Sequence, residues 1–350
     1  MNTAMKITLS RPDDAHVHLR EGAILAGTAS ATARQFARAI VMPNLKPPVT
    51  TVAAALAYRS HILAALPAGT PFEPLMVLYL TETTTAEEVQ RVADAPQVLG
   101  FKLYPAGATT NSDAGVRDLL ANCGPALAAM QRLGVPLLVH GEVTDPTVDV
   151  FDREAVFIDR VMVPLRAAYP ALKVVFEHIT TLQAAQYVAQ APASEPIAAS
   201  ITPQHLLYNR NALFTGGLRP HYYCLPVLKR EAHRVALMQA AASGNPRFFL
   251  GTDTAPHAKG LKEHACGCAG CYTGLHALEL YAQAFEQAGA LDKLNAFAAH
   301  HAADFYGLPR NTGTVTLEKT DWQIPAVVDL GGMPVVPLAA GDALGWKMVD

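Results

Sequence analysis

The sequence predicts an α/β fold, a (β/α)8 barrel carrying a short strand-rich carboxyl-terminal extension. Short apolar or alternating runs recur between longer alanine-rich, helix-like segments, and eight such runs can be counted. Polar residues interrupt those runs at one end only, as expected where barrel loops converge over an active site. A chain of 350 residues exceeds the usual domain size but is within the range of one α/β barrel.

In chain order, the candidate strands fall at about 12 to 18, 38 to 43, 73 to 80, 98 to 103, 135 to 141, 173 to 178, 196 to 201 and 247 to 252. Three intervening segments carry the helical signal most clearly. Thr50 to Leu66 is rich in strong helix formers, Thr85 to Ala93 opens with Thr85 followed three residues later by Glu88 as in a capping box, and a third segment runs from about Arg230 to Ala242. After Gly307 the composition shifts toward Pro, Gly and Val, in Trp322-Gln-Ile-Pro-Ala-Val-Val and Met333-Pro-Val-Val-Pro. This tail, about 311 to 350, reads as strands and turns appended to a barrel of about 10 to 310 rather than as a separate domain.

Composition narrows the function. Hydrophobic residues make up 51% and charged residues 16%, which favours a compact enzyme over a disordered or fibrous chain. A net charge of -3, from 27 Lys+Arg and 30 Asp+Glu, offers no general attraction for nucleic acid or an anionic membrane, so a small-molecule substrate is expected. The segment Met1 to Ser10 lacks the apolar run of a signal peptide and no later segment has membrane-spanning apolar length, which points to the cytoplasm.

Five cysteines, three of them in Cys266-Gly-Cys268-Ala-Gly-Cys271, do not resemble a secreted disulfide framework. A thiolate zinc site there would need a fourth ligand from His264, Cys123 or Cys224. A compact loop of reduced thiols is the simpler reading.

The polar residues at the strand ends form a set. His16 and His18 close the first strand in Asp14-Ala-His-Val-His-Leu-Arg20, Lys102 lies in the fourth, His140 in the fifth and His178 at the end of the sixth, while Asp253 follows the eighth. In an extended strand, residues two apart share a face, so His16, His18 and Arg20 would address one volume. Imidazole and carboxylate donors together suit zinc. Lys102, in the apolar Val98-Leu-Gly-Phe-Lys-Leu-Tyr104, needs a partner or a modification. Burial and nearby cations favour its neutral amine, the form that adds carbon dioxide to give a carbamate.

The motifs Asp14 to Arg20, Met42-Pro-Asn44, Gly100-Phe-Lys-Leu-Tyr-Pro105, Val139-His-Gly-Glu142, Glu177-His-Ile-Thr180, Thr202-Pro-Gln-His205 and Gly251-Thr-Asp-Thr-Ala-Pro-His257 occur in consistent order from about 10 to 310. Together they resemble the single-domain bacterial dihydroorotases of the amidohydrolase superfamily. The resemblance implies two zinc ions per subunit: His16, His18 and Asp253 would hold the more buried one, and His140 and His178 the more exposed one. N6-carboxylated Lys102 and a hydroxide would bridge them. It also implies reversible hydrolysis of dihydroorotate to N-carbamoyl-L-aspartate, with Asp253 as the catalytic base, and a homodimer.

By the same resemblance, Arg20, Asn44 and His257 would clamp the substrate carboxylate, and backbone groups of Leu225 and Ala269 would hold the pyrimidine edge. Thr109 and Thr110 would reach the substrate from a lid over Ala106 to Asp113, in which Gly107 adds backbone freedom. Asn44 after Pro43 is equally readable as a turn residue. The enzyme alternative is another cyclic-amide hydrolase such as a hydantoinase, which would not require Arg20 and Asn44. The non-enzyme alternative, a silent structural relative, would have lost one or more of these metal ligands, and none is missing.

Overall fold

The computed structural model describes residues 5 to 265 and 267 to 349. Among the described residues, thirteen strands run in chain order: β1 Lys6–Ser10, β2 Asp13–Val17, β3 Arg38–Val41, β4 Glu73–Tyr79, β5 Val98–Leu103, β6 Leu137–His140, β7 Val174–Glu177, β8 Ile197–Ile201, β9 Phe248–Leu250, β10 Thr314–Gln323, β11 Val328–Leu330, β12 Met333–Val335 and β13 Ala343–Met348. Strands β2 to β9 form one parallel sheet in sequential order, with helices in the crossovers. Each of the eight expected strands is present, most of them trimmed by one to three residues at an end.

The sheet closes on itself at the seam between β2 and β9. The Asp253 amide donates to the His16 carbonyl at 2.9 Å, the His18 amide donates to the Thr254 carbonyl at 3.0 Å, and Val17 bridges Thr254 in parallel. Asp14 locks the seam from the side. Its carboxylate accepts from the His16 and Thr252 amides at 3.1 and 2.9 Å and from the Thr252 hydroxyl at 2.6 Å. Burial nevertheless pushes its pKa up to about 7.

The barrel interior is filled by inward residues of successive strands, among them Ala15, Ile40, Leu75, Leu138, Val175 and Phe249. The alternate residues, such as Val41, Phe101 and Val139, face the helices in the largest apolar cluster. Pairing of β2 with β3 slips between Asp14 and Val17, so strict alternation does not carry across His16. Close strand packing also dictates Gly141, just past β6, where a Cβ would lie 2.0 Å from the Phe176 ring.

The helices start where the sequence marks them. Thr51 caps Val52–Ala64 by accepting from the Ala54 amide, and Thr85 caps Ala86–Ala93 by accepting from the Glu88 amide. The second cap is half of a capping box. The Glu88 carboxylate accepts from the Val52 amide at 2.7 Å, serving an unpaired donor at the start of the neighbouring helix instead of its own. The third helix spans Glu231–Ala242.

The tail folds as short strands. β10 pairs antiparallel with β13 and with β1, and β11 pairs with β12 as a hairpin. His276 holds part of this tail to the barrel, its Nε2 lying 3.2 Å from the Leu338 carbonyl. Among the described residues, no helix is long and apolar enough to cross a membrane.

Candidate active site

At the carboxyl end of the barrel, four imidazoles stand edge to face in a row. Ring centroids are 5.1 Å apart for His18 and His16, 5.0 Å for His16 and His178, and 4.9 Å for His178 and His140. Asp253 Oδ1 lies 3.0 Å from His18 Nε2 and 3.3 Å from His16 Nε2. All five side chains are buried and line one cavity, together with Arg20, Asn44, Thr109, Thr110, Leu225 and Ala269.

Two expected site residues sit just behind this wall. Lys102 is fully buried in β5, with its ammonium against Glu177. His257 lies behind Arg20, with Nε2 3.2 Å from Nη2 of Arg20 and 3.0 Å from the Ala269 carbonyl. A single ring nitrogen cannot serve both, because Arg20 offers only donors and the carbonyl only accepts. Arg20 and Ala269 both line the cavity, so a ligand there has an unmet partner to engage.

Arg20 reaches the cavity by a route other than strand periodicity. β2 ends at Val17, Leu19 is buried, and Arg20 adopts the left-handed conformation at φ 65°. His178 at φ 42° and Asp253 at φ 46° do the same just past β7 and β9. Non-glycine residues occupy this region at a cost, and three of them together mark a site whose geometry the surrounding structure imposes.

Electrostatics divide the cluster. Burial drives His18 down to about 4 and His178 well below its ordinary value, so both rings are neutral near pH 7. Burial also opposes charging of His16, but the Glu177 and Asp253 carboxylates outweigh it and lift its pKa to about 9. Burial would raise Asp253, yet His16 and His18 hold it well below the carboxylate range. For Lys102, burial pushes the ammonium down against the pull of Glu177.

The donor set fits a cation. Asn44 Nδ2 donates to the Thr110 carbonyl at 3.1 Å, so its Oδ1, 2.9 Å from His18 Nδ1, is the acceptor for that ring. Neutral His18 therefore turns a bare Nε2 lone pair toward Asp253 Oδ1, two acceptors 3.0 Å apart. His16 Nδ1 and Glu177 Oε1 lie 3.0 Å apart as a buried pair, whereas His178 Nδ1 is buried without a hydrogen-bond partner. Among the described residues, two ligand groups have the spacing for a metal ion, one of His16, His18 and Asp253 and one of His16, Glu177 and His178. Buried acceptors facing one another are stabilised by a metal ion between them, and nitrogen with carboxylate oxygen suits zinc.

Glu177 has no role in the sequence reading beyond its place in a motif, yet it contacts both His16 and Lys102. Glu142 is similar, its Oε2 2.8 Å from His140 Nε2. A carboxylate ending or following an otherwise apolar buried strand was the available signal for both.

The segment expected to form a lid, residues 106 to 113, contributes Thr109 and Thr110 to the cavity lining and is tied to its neighbours. Thr110 Oγ1 donates to the Ala269 carbonyl at 3.3 Å and Asn111 Nδ2 to the Asn44 carbonyl at 2.9 Å. Within the lid, Ser112 Oγ accepts from the Thr109 amide at 2.9 Å, and Gly107 takes φ 78°. In the segment that Thr110 contacts, Cys268 and Cys271 flank Ala269 and Gly270, while Cys266 lies outside the described residues. Cys123, Cys224, Cys268 and Cys271 are free thiols, and among the described residues none joins a metal-ligand group.

Residues 14 to 320 match the amidohydrolase family. A dihydroorotase of Cupriavidus necator is 70% identical over 342 residues, covering 98% of both chains. The solved dihydroorotase of Campylobacter jejuni superposes with a TM-score of 0.91 at 34% identity, covering 100% of this chain and 99% of that one. The dihydroorotase of Saccharomyces cerevisiae, solved with 5-fluoroorotic acid, gives 0.88 at 31% identity, covering 98% of each.

Proposed function

The chain belongs to the amidohydrolase family and, within it, to the dihydroorotases, and from that premise we propose zinc-dependent, reversible hydrolysis of (S)-dihydroorotate to N-carbamoyl-L-aspartate in pyrimidine synthesis. The observation that carries the reading is one cavity joining the four-imidazole cluster to Arg20, whose hydrogen bonds go to uncharged partners, His257 and the Pro256 carbonyl. Its charge is thus available to a ligand carboxylate, which dihydroorotate has and a plain hydantoin or dihydropyrimidine lacks.

The residues that would hold the ions are His16, His18, His140, His178 and Asp253, with Lys102 contributing as its carbamate. Burial of Lys102 favours the neutral amine from which a carbamate forms. Two zinc ions would supply positive charge that lowers the pKa of water and polarises the amide carbonyl. The chain's own groups do the rest. Arg20, Asn44 and His257 orient the carboxylate, and Thr109 and Thr110 close out water from the lid. Asp253 accepts the proton of the attacking water on its carboxylate and delivers it to the departing ring nitrogen. Backbone groups of Leu225 and Ala269 hold the pyrimidine edge. The reading extends to one amidohydrolase domain over the whole chain, a cytoplasmic location and a homodimer, all resting on the kinship.

Metal analysis alongside an ultraviolet absorbance assay with dihydroorotate tests the proposal. The expected result is turnover by protein holding about two zinc ions per chain. Absence of turnover under metal-replete conditions would overturn it.

A further inference from the structure

Lys262 stands outside the cavity, yet two of the cavity's walls are tied to it. Its side chain is 3% exposed, and its ammonium donates 2.7 Å hydrogen bonds to the carbonyls of Tyr223, Cys268 and Gly270. Three N–H donors meet three carbonyls, so the head group is fully used. None of these partners is a carboxylate, and among the described residues Lys262 forms no ion pair; its ammonium also lies 5.6 Å from the centre of the Tyr223 ring. Burying a cation without a counter-charge is costly. A structural tie between loops could be made with neutral groups at less cost.

The three carbonyls belong to two segments. Tyr223 stands two residues before Leu225, while Cys268 and Gly270 flank Ala269, and Leu225, Ala269 and Gly270 line the cavity. The Gly270 amide also donates to the Tyr223 carbonyl at 2.9 Å. Gly270 holds φ 145°, and a Cβ there would lie 2.7 Å from Ala255 Cβ, so the segment is confined between Lys262 and Ala255. The Ala269 carbonyl is in turn the acceptor for lid residue Thr110 and the close neighbour of His257. Burial is the main cause that holds His257 down to about 3, and the charges of Arg20 and Lys262 add to it, so the field of Lys262 reaches this residue.

We propose that Lys262 is a positioning residue for the anionic substrate, fixing the Ala269 carbonyl on which Thr110 rests and adding its uncompensated charge to that of Arg20 at the carboxylate subsite. The inference rests on the dihydroorotate reading above.

Steady-state kinetics of the metal-replete Lys262→Met protein provide the test. KM for dihydroorotate is expected to rise about tenfold or more while kcat changes far less and zinc content stays that of the parent. Combined with Thr110→Val, it should cost less than the sum of the two separate effects, because both act in part through the Ala269 carbonyl. An unchanged KM with only a lowered melting temperature, or fully additive effects of the two substitutions, would overturn the proposal. If Lys262→Met does not fold, Lys262→Arg keeps the charge but not the three-carbonyl geometry. That variant should also raise KM, and an unchanged KM counts against the role. A zinc-loaded parent that fails to turn over dihydroorotate defeats the substrate reading, whereas an active parent with an unaffected variant defeats only the role of Lys262.

Discussion

Asn44 stands between His18 and the lid, its Oδ1 2.9 Å from His18 Nδ1 and its Nδ2 3.1 Å from the Thr110 carbonyl. One amide therefore selects the tautomer of a candidate metal ligand and fastens the loop that covers it. A turn role after Pro43 would require neither contact. Asn44→Ala is expected to weaken metal affinity about 10- to 100-fold, as loss of a ligand's outer partner does, and to raise KM for dihydroorotate as well. Zinc titration with a competing chelator, together with steady-state kinetics, reads both effects.

Arg20→Ala should reduce kcat/KM for dihydroorotate by about a hundredfold or more, since it removes the half-buried cation proposed to pair with the substrate carboxylate. Zinc content should not change, because Arg20 belongs to neither metal-ligand group. An unaltered kcat/KM would count decisively against dihydroorotate as substrate.

His178→Asn removes a buried ring whose Nδ1 has no partner in the protein. Zinc per chain should fall by about one ion, with activity lost. Chelation of the parent protein should abolish turnover, and added zinc should restore it. Full zinc occupancy and full activity in His178→Asn would remove this residue from the ligand set.

His276 supplies a pH dependence remote from the metal cluster. Burial holds its pKa down to about 4 in the folded chain, against about 6.5 when unfolded. Between those values the unfolded chain binds the proton and the folded chain does not, so stability is full above about 6.5 and declines as pH falls toward about 4. At pH 5 this amounts to about 2 kcal/mol. Urea unfolding of the parent and of His276→Gln at pH 7.5 and pH 5 should show a shallower acid loss in the variant. Equal losses in both would dismiss the assignment.

The repeating barrel units were legible because each strand is a local apolar run, and the clustered polar residues because each breaks such a run at the same end. β1 was not. Its five residues, Lys6–Ser10, are partly exposed and become a strand only by pairing with β10, some 300 residues away. Lys262 was hidden for a related reason. In Lys259-Gly-Leu-Lys262-Glu it reads as an ordinary surface lysine, and only the return of residues 268 to 270 past Tyr223 buries it. Arg20 was expected in the right place by the wrong route, because alternation cannot anticipate a left-handed turn after Val17. Glu177 was visible as a letter, but its contacts with His16 and Lys102 are made across three strands.

The seam between β2 and β9 gives the metal cluster a second consequence. His18 and Asp253 are 235 residues apart in sequence, and their side chains meet only when the first and last barrel strands are neighbours. An ion held by both would bind the closed barrel and not the open chain, so its binding energy would be added to the resistance of the barrel to unfolding. The barrel would then be latched by the same atoms proposed to hold the ions, and a chain that failed to close its barrel would remain without that site.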